Sequence, residues 1–347
     1  MQPPTFTPFG DLAVIYEDDG PFASVYLSAP LDEEHWGRVQ ARLHDDDVPA
    51  ALAASIGQAV REVGEGVRTV GVIATADGIV HLEAFDHELD TEIVRWGSLP
   101  NLVPLLRLRQ HVMPHVVVAL GEDGARVVVV DDGPPLLDLD LTSGEATVAA
   151  EPPDWSRPRM WRGPAGDGSE VVRAIADTAR SAGEVPTAAL AAVYVVAGES
   201  AIPPAMRGWS RPLSSGAPGG LVRAMDSALE ARARELDAGA RAWLDAERSA
   251  DRVVEGAARV VSATAADVVS AVFVAEGVWP SLRAWWGASA NEIALRPDRY
   301  SPDARAPAPG APLLDVLVRN ALVTSTPLRV VGPSWGLEDG VAACLRT

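Results

Sequence analysis

"PHVVVALGEDGARVVVVDDG", residues 114–133, decides how the middle of this chain is read. Residues 116–120 and 126–130 are apolar and rich in valine, and Glu122-Asp123-Gly124 joins them. Asp-Gly between two such runs marks a β-hairpin, because tight hairpin turns need residues that accept positive φ. The runs are apolar throughout rather than alternating, so both faces of their sheet should be covered. Downstream, "LLDLDL" and "ATVAA" alternate and can add strands. A helix is expected over 169–182, with Val171, Val172, Ile175 and Ala179 on one face. "TAALAAVYVVAG" then reads as another buried strand. This middle unit is α/β and spans 113–215.

Toward the N-terminus, residues 1–112 form a second mixed α/β unit. "LAVIYEDDGPFASVYLSAP" holds two expected extended runs around an Asp-Gly turn. "DEEHWGRVQARLHDDDVPAALAASIGQAVREV" predicts two helices broken near Val48-Pro49, with Asp32, Glu33 and Glu34 suited to the positive end of the first. "VRTVGVIATADGIVHLEAF" predicts strand–turn–strand over Asp77-Gly78. The two prolines of "GSLPNLVPLLRLRQ" preclude a long regular element there.

Toward the C-terminus, "PLSSGAPGG" has the composition of a linker. A long helix follows from Gly220, with Val222, Met225, Leu229, Leu236 and Trp243 in a narrow apolar seam. It opens a third unit, 216–347. That unit continues with a helix over 251–262, the strand "VVSAVFVAE", an exposed "SPDARAPAPGAP" loop, the helix "LLDVLVRNALV" and the strands "LRVVG" and "VAACLR".

The whole-chain totals narrow the classes. With 347 residues the chain has room for two or three domains. There is no apolar run of membrane-spanning length, and "MQPPTFTPFGD" lacks the basic start and apolar stretch of a secretory signal. The single cysteine, Cys344, has no internal disulfide partner, which fits a cytoplasmic protein. A formal net charge of −19 argues against a broad basic surface for nucleic acid but leaves room for a local basic patch or for docking on a protein. Every Lys/Arg position is arginine. Schiff-base chemistry and the lysine-bearing phosphate loop are therefore excluded.

"RPRMWRGPAGDGSE", residues 157–170, concentrates what positive charge the middle unit has. Arg157, Arg159 and Arg162 suit phosphates, and Trp161, like Trp155, suits base stacking or docking. Gly166 and Gly168 precede an expected helix N-terminus, where anions bind. The spacing fits neither a dinucleotide fingerprint nor a phosphate loop. Two readings stay open. The stretch is an exposed loop that contacts RNA, or its tryptophans tuck against the domain and its arginines pair with Asp131, Asp132 or Asp138. Asp131, Asp132, Asp138 and Asp140 lie near strand ends, where carboxylates can hold a divalent metal. An ordinary Asp-Asp-Gly turn and the solvent face of an edge strand explain them as well. His111 and His115 are four apart, but Met113-Pro114 between them precludes one helix face, and no cysteine cluster accompanies them or His81 and His87. No catalytic residue, metal site or cofactor is assigned.

"GPFASVYLSAP" at 20–30, "LPNLVPLLRLRQHVMPHVVVALGEDGARVVVVDDG" at 99–133 and "LLDVLVRNALVTSTPLRVVGPSWGLEDGVAACLRT" at 313–347 together resemble one superfamily. It comprises the archaeal and eukaryotic peptide chain release factor and Pelota, with bacterial homologues that include the Balon-like ribosome hibernation factors. The resemblance spans nearly the whole chain and lies in strand pattern and domain order rather than in a short signature. It implies an N-terminal mixed α/β domain, a central RNase H-like domain and a C-terminal Pelota-like α/β domain. It implies a ribosomal partner contacted through RNA, and a translational GTPase such as elongation factor Tu. Release factors carry a Gly-Gly-Gln loop where 157–170 falls, and this sequence has no Gly-Gly-Gln anywhere. The resemblance therefore implies a ribosome-associated protein, more a non-enzyme than an enzyme, in hibernation, rescue or stress response. The alternatives are an RNA- or peptidyl-tRNA-cleaving enzyme of the same fold and a protein-interaction module without ribosome binding.

Overall fold

The fold is that of a computed structural model. It describes residues 4, 6, 9–63, 67–85, 87–89, 91–111, 115–121, 124–130, 137–140, 145–147, 192–196, 210–213, 220–277, 282–297 and 310–346, with side chains described outside 111–226. The chain divides into two compact units. One joins Met1–His111 to Gly239–Thr347; the other is Val112–Ala238.

The N-terminal part of the first unit begins with a 3-10 helix, Gly10–Glu17, and strand β1, Phe22–Ser28. Helices α1 (Glu33–Asp45) and α2 (Ala50–Arg61) follow, then β2 (Thr69–Thr75), β3 (Gly78–Phe85), β4 (Ile93–Gly97) and α3 (Val103–His111). The strands form an antiparallel sheet in the order β3-β2-β1-β4. The side chain of Asp32 caps α1, accepting from the His35 N–H at 2.6 Å. The α1–α2 break falls at the expected place, with Asp47 in the left-handed region at φ 61°. Val25, Leu27, Val70 and Val72 on one sheet face pack with Leu43, Leu52 and Ile56 of the two helices. Gly57 lets the helices approach: a Cβ there would lie 2.3 Å from the Trp36 ring. On the opposite face, Gly71 lies against Tyr26 and Leu105 of α3.

"LAVIYE" is not a strand but part of the first 3-10 helix. Its β-branched residues favour extension, but Leu12 and Ile15, three apart, fall on one side of a 3-10 turn. Both are buried, and the helix packs on the later helix Leu313–Val323. Burial overrides local propensity.

The second unit carries β5 (His115–Gly121), β6 (Gly124–Val130), β7 (Leu137–Asp140), β8 (Glu145–Thr147), β9 (Ala192–Val196) and β10 (Ser210–Leu213). They form one sheet in the order β10-β9-β5-β6-β7-β8. β5 to β8 pair antiparallel, whereas β9 and β10 run parallel to β5. The hairpin is the one read from the sequence, with Gly121 opposite Gly124. Because β8 flanks it, β7 is not an edge strand, and the edge-strand reading of Asp138 and Asp140 is corrected. The helix expected over 169–182 lies outside the described residues.

Helix α4, Gly220–Ser249, is the long helix expected from Gly220. β11 (Val253–Glu255), α5 (Ala257–Ala265), β12 (Val269–Ala275), β13 (Arg283–Trp286), β14 (Ile293–Ala294), β15 (Ala311–Pro312), α6 (Leu313–Val323), β16 (Leu328–Val331) and β17 (Val341–Leu345) complete the chain. The helix read over 251–262 starts later, at Ala257. Val253 and Val254 instead pair with Cys344 and Ala343, because two valines gain more by covering a sheet edge than by opening a helix. The main sheet runs β11-β17-β12-β16, and β14-β13-β15 form a small second one. Trp243 and Leu244 of α4 pack on Phe273 and Trp335, and the last two rings stack at 5.9 Å. Cys344 is buried in the same cluster, and burial pushes its thiol up to about 12.

Candidate functional site

Arg157, Arg159, Trp161, Arg162, Gly166 and Gly168, with Trp155, lie outside the described residues, as do Asp131 and Asp132. Their frame is described. The stretch falls in the connection between Thr147, which ends edge strand β8, and Ala192, which begins β9. Within the sheet, Asp140 is opposite Arg126 on one side and Glu145 on the other, and Asp138 is opposite Val128 and Thr147.

The described histidine contacts are separate. His111 ends α3 and His115 begins β5. His81 lies on β3 with its Nε2 2.8 Å from Glu83 Oε2. The His87 carbonyl accepts from Thr69 Oγ1 at 2.6 Å. Among the described residues no group of three or more His, Cys, Asp or Glu could hold a metal ion.

The polar chemistry that is described lies elsewhere, where β4 meets α6. Arg95 donates from Nη2 to Asp315 Oδ2 at 2.5 Å and to the Leu99 carbonyl at 3.3 Å. The Asp315 side chain is fully buried, and that of Arg95 is 23% exposed. Burial drives the Asp315 carboxyl up to about 6; Arg95 pulls it back only in part. Tyr16 and Tyr26 face the same charge, and burial raises both phenols. The Tyr26 hydroxyl donates to the Asn101 carbonyl at 2.7 Å, and the Asn101 N–H donates to Ser24 Oγ at 2.9 Å. Asp315 Oδ1, the Tyr16 hydroxyl and the Asn101 side-chain amide are buried without a hydrogen-bond partner among the described residues. Such groups raise the energy of the fold by about 1–3 kcal/mol each.

A second polar junction lies nearby. The Gln110 side-chain amide donates to the Val330 carbonyl at 2.9 Å and accepts from the Val330 N–H at 2.6 Å. It thereby acts as a one-residue strand on the edge of β16. Arg107 adds an ion pair to Glu276 at 3.3 Å. Arg109 binds Glu83 through Nε at 2.8 Å and Asp11 through Nη1 at 2.6 Å. Burial pushes the Glu83 carboxyl up, but hydrogen bonds from His81 and Arg109 outweigh it and hold the group below the usual range. Gln110 and Arg107 join the N-terminal and C-terminal parts of the unit, and Arg109 ties α3 to β3 and the first 3-10 helix. They hold no nucleophile beside a general base.

Sequence reasoning missed Arg95, Gln110 and Asp315 because their partners lie 220 residues away. The one available signal was Asp315, a lone acid in the otherwise apolar turn "LLDVL".

No protein-family model matches the chain, and no curated protein does. Solved structures do match. The chain is similar to Dom34 of S. cerevisiae, a translation termination-like factor, at 12% identity and a TM-score of 0.39 over 80% of this chain and 78% of that one. It is similar to Pelota of Archaeoglobus fulgidus at 13% identity and a TM-score of 0.36, over 80% and 79%. A ribosome-bound archaeal Pelota matches at 11% identity and a TM-score of 0.35, over 99% and 96%. These scores lie below the level at which a shared overall arrangement follows.

Proposed function

We propose that the chain is a ribosome-associated, release-factor-like protein that has no Gly-Gly-Gln motif and occupies the A site of idle or stalled ribosomes. The observation that carries this reading is the central sheet. Antiparallel strands β5 to β8 are continued on the other side of β5 by parallel β9 and β10. That arrangement is compatible with an RNase H-like domain over 113–215, between an N-terminal domain over 1–112 and a Pelota-like domain over 216–347. Residues 157–170 fall between β8 and β9 in the chain, where the sequence resemblance expects the hydrolytic loop. With Gly-Gly-Gln absent, no residue there is assigned to place a water at the peptidyl ester.

In this reading Arg157, Arg159, Trp161, Arg162, Gly166 and Gly168 form a basic tip that meets ribosomal RNA while the acidic body stays away from it. A translational GTPase such as elongation factor Tu is the proposed protein partner, and the cytoplasm the proposed location. No described helix is long and apolar enough to cross a membrane. Hibernation or rescue is the proposed setting.

Co-sedimentation with bacterial ribosomes tests this. The full chain should pellet with ribosomes and release no peptide from a termination complex. Replacing the three arginines by serine should weaken binding and lower the salt slope by about one unit for each phosphate that an arginine had neutralised. A chain that stays in the supernatant overturns the proposal. Divalent-metal-dependent cleavage of RNA would favour the nuclease alternative.

A further inference from the structure

Strand β3 is an open sheet edge, and its sequence is complementary to itself. Among the described residues β2 is its one strand neighbour. Ile79 and Leu82 are 37% and 41% exposed. Both lie on the α1/α2 side, since their partners Ala74 and Val72 belong to that core.

The direction of the backbone groups follows from the ladder. The Ala29 N–H donates to the Arg68 carbonyl at 2.8 Å, continuing the β1–β2 register. Alternate residues of β2, including Val70 and Val72, therefore turn their N–H and C=O toward β1, and Gly71 and Ile73 turn theirs toward β3. Gly71 is opposite Glu83 and Ile73 opposite His81. His81 and Glu83 thus bond inward to β2, and Leu82 and Ala84 present their backbone groups outward.

We infer that β3 pairs antiparallel with β3 of a second copy of this chain, about a two-fold axis at Leu82. Three considerations select the partner and the register. Centring on Leu82 makes Leu82 and its symmetry mate a hydrogen-bonded pair and places His81, already bonded to Glu83 of its own chain, in register with Glu83 of the partner subunit, twice. Centring on His81 or on Glu83 instead sets two imidazoles or two carboxylates against each other, centring on Ala84 runs Leu82 off the strand end, and centring on Val80 leaves Leu82 opposite Gly78 of the partner subunit, without an apolar mate. The apolar face then brings the two Leu82 side chains together beside α2, covering exposed area that a polar peptide would leave unfilled. One strand pair makes an interface well below the usual ~1,200 Å² of stable complexes, so the dimer is weak and concentration-dependent. Two chains of net charge −19 repel, so added salt strengthens the pairing.

Sedimentation equilibrium of the full chain over a concentration series, at low and high salt, should show a monomer–dimer equilibrium that salt favours. Leu82→Lys should abolish it. Register is read by cross-linking. Cα atoms of a hydrogen-bonded pair lie about 5.5 Å apart, within disulfide reach. Leu82→Cys under mild oxidation should form a covalent dimer on the order of tenfold faster than Val14→Cys, through effective concentration. Val14 is 56% exposed on the first 3-10 helix, and the native Cys344 is buried. Circular dichroism checks that each variant folds; if the lysine variant does not, the cysteine comparison decides alone. A chain that is monomeric throughout, a dimer that Leu82→Lys leaves intact, or equal cross-linking of the two cysteine variants overturns the inference.

Discussion

The two four-stranded sheets of the first unit treat their edges differently. In the C-terminal sheet, edge strand β16 is covered at Val330 by the Gln110 amide, which satisfies one backbone N–H and one carbonyl. In the N-terminal sheet, edge strand β3 meets no such group among the described residues and shows Ile79 and Leu82 to solvent. Uncovered edges are where chains pair with other chains. The contrast separates an edge used to hold the unit together from an edge left for a partner. The bulge between Ile73 and Ala74 on the β2–β3 ladder adds local twist at one end of β3 and leaves the run from His81 to Phe85 regular.

The strongest way to break the holding side is to remove Arg95. Arg95→Met leaves the fully buried Asp315 without its cation, and stranding one member of a buried pair costs about 3–5 kcal/mol. Denaturant unfolding at pH 8 should show this loss. At pH 5, where Asp315 takes up a proton, the loss should be smaller. An equal loss at both values would mean that the carboxylate is not what Arg95 serves.

Asp315→Asn tests the same lock with the opposite sign. The folded carboxyl titrates at about 6, above the unfolded value of about 3.9. The folded state therefore binds the proton more tightly. The stability from this group is fully present below the unfolded value and falls as pH rises through the folded one. The span is about 3 kcal/mol between roughly pH 4 and 6. The asparagine variant should lack that span, so the difference between the two chains, measured by unfolding across this window, isolates it from Glu83. Glu83 acts the other way: its lowered carboxyl stabilises above its unfolded value and loses that stabilisation as pH falls. A parallel pair of curves would contradict the assignment.

Neither lock was legible in the sequence, and the reason is physical. Local periodicity records which face of an element is buried, not what it is buried against. The α1–α2 break, the β2–β3 turn over Asp77-Gly78 and the β5–β6 hairpin were all readable because turn chemistry and alternation act within a few residues. "LAVIYE" was misread because its conformation is set by α6, which lies some 300 positions on. Arg95 and Gln110 resemble any polar residue on a strand or at a helix end. The six RNA-contact candidates stood out by charge and composition alone, and they fall outside the described residues.

Gln110→Ala opens the covered edge. It removes two hydrogen bonds and leaves the Val330 N–H and carbonyl without the amide that satisfied them. The expected loss is about 1–3 kcal/mol, with faster hydrogen exchange at Val330 than at Val274, which pairs with it from β12. Gln110→Glu should recover the acceptor for the Val330 N–H but not the donor to its carbonyl, and should fall between. A variant as stable as the native chain would show that α3 holds β16 by packing alone.

The smallest stability effect should come from the open edge. Leu82 is 41% exposed and its backbone groups point away from β2, so Leu82→Lys removes little that the monomer's fold depends on. Substitutions at such positions change stability by about 0.5 kcal/mol or less. The same change places a lysine ammonium at the two-fold axis, where it meets its own symmetry mate and removes the apolar contact. Association should be lost while the unfolding curve of the monomer stays where it was. That dissociation of effects is what the comparison of edges requires. If Leu82→Lys lowered stability as much as Gln110→Ala, β3 would be held by interactions of its own, and the two edges would differ in degree rather than in role.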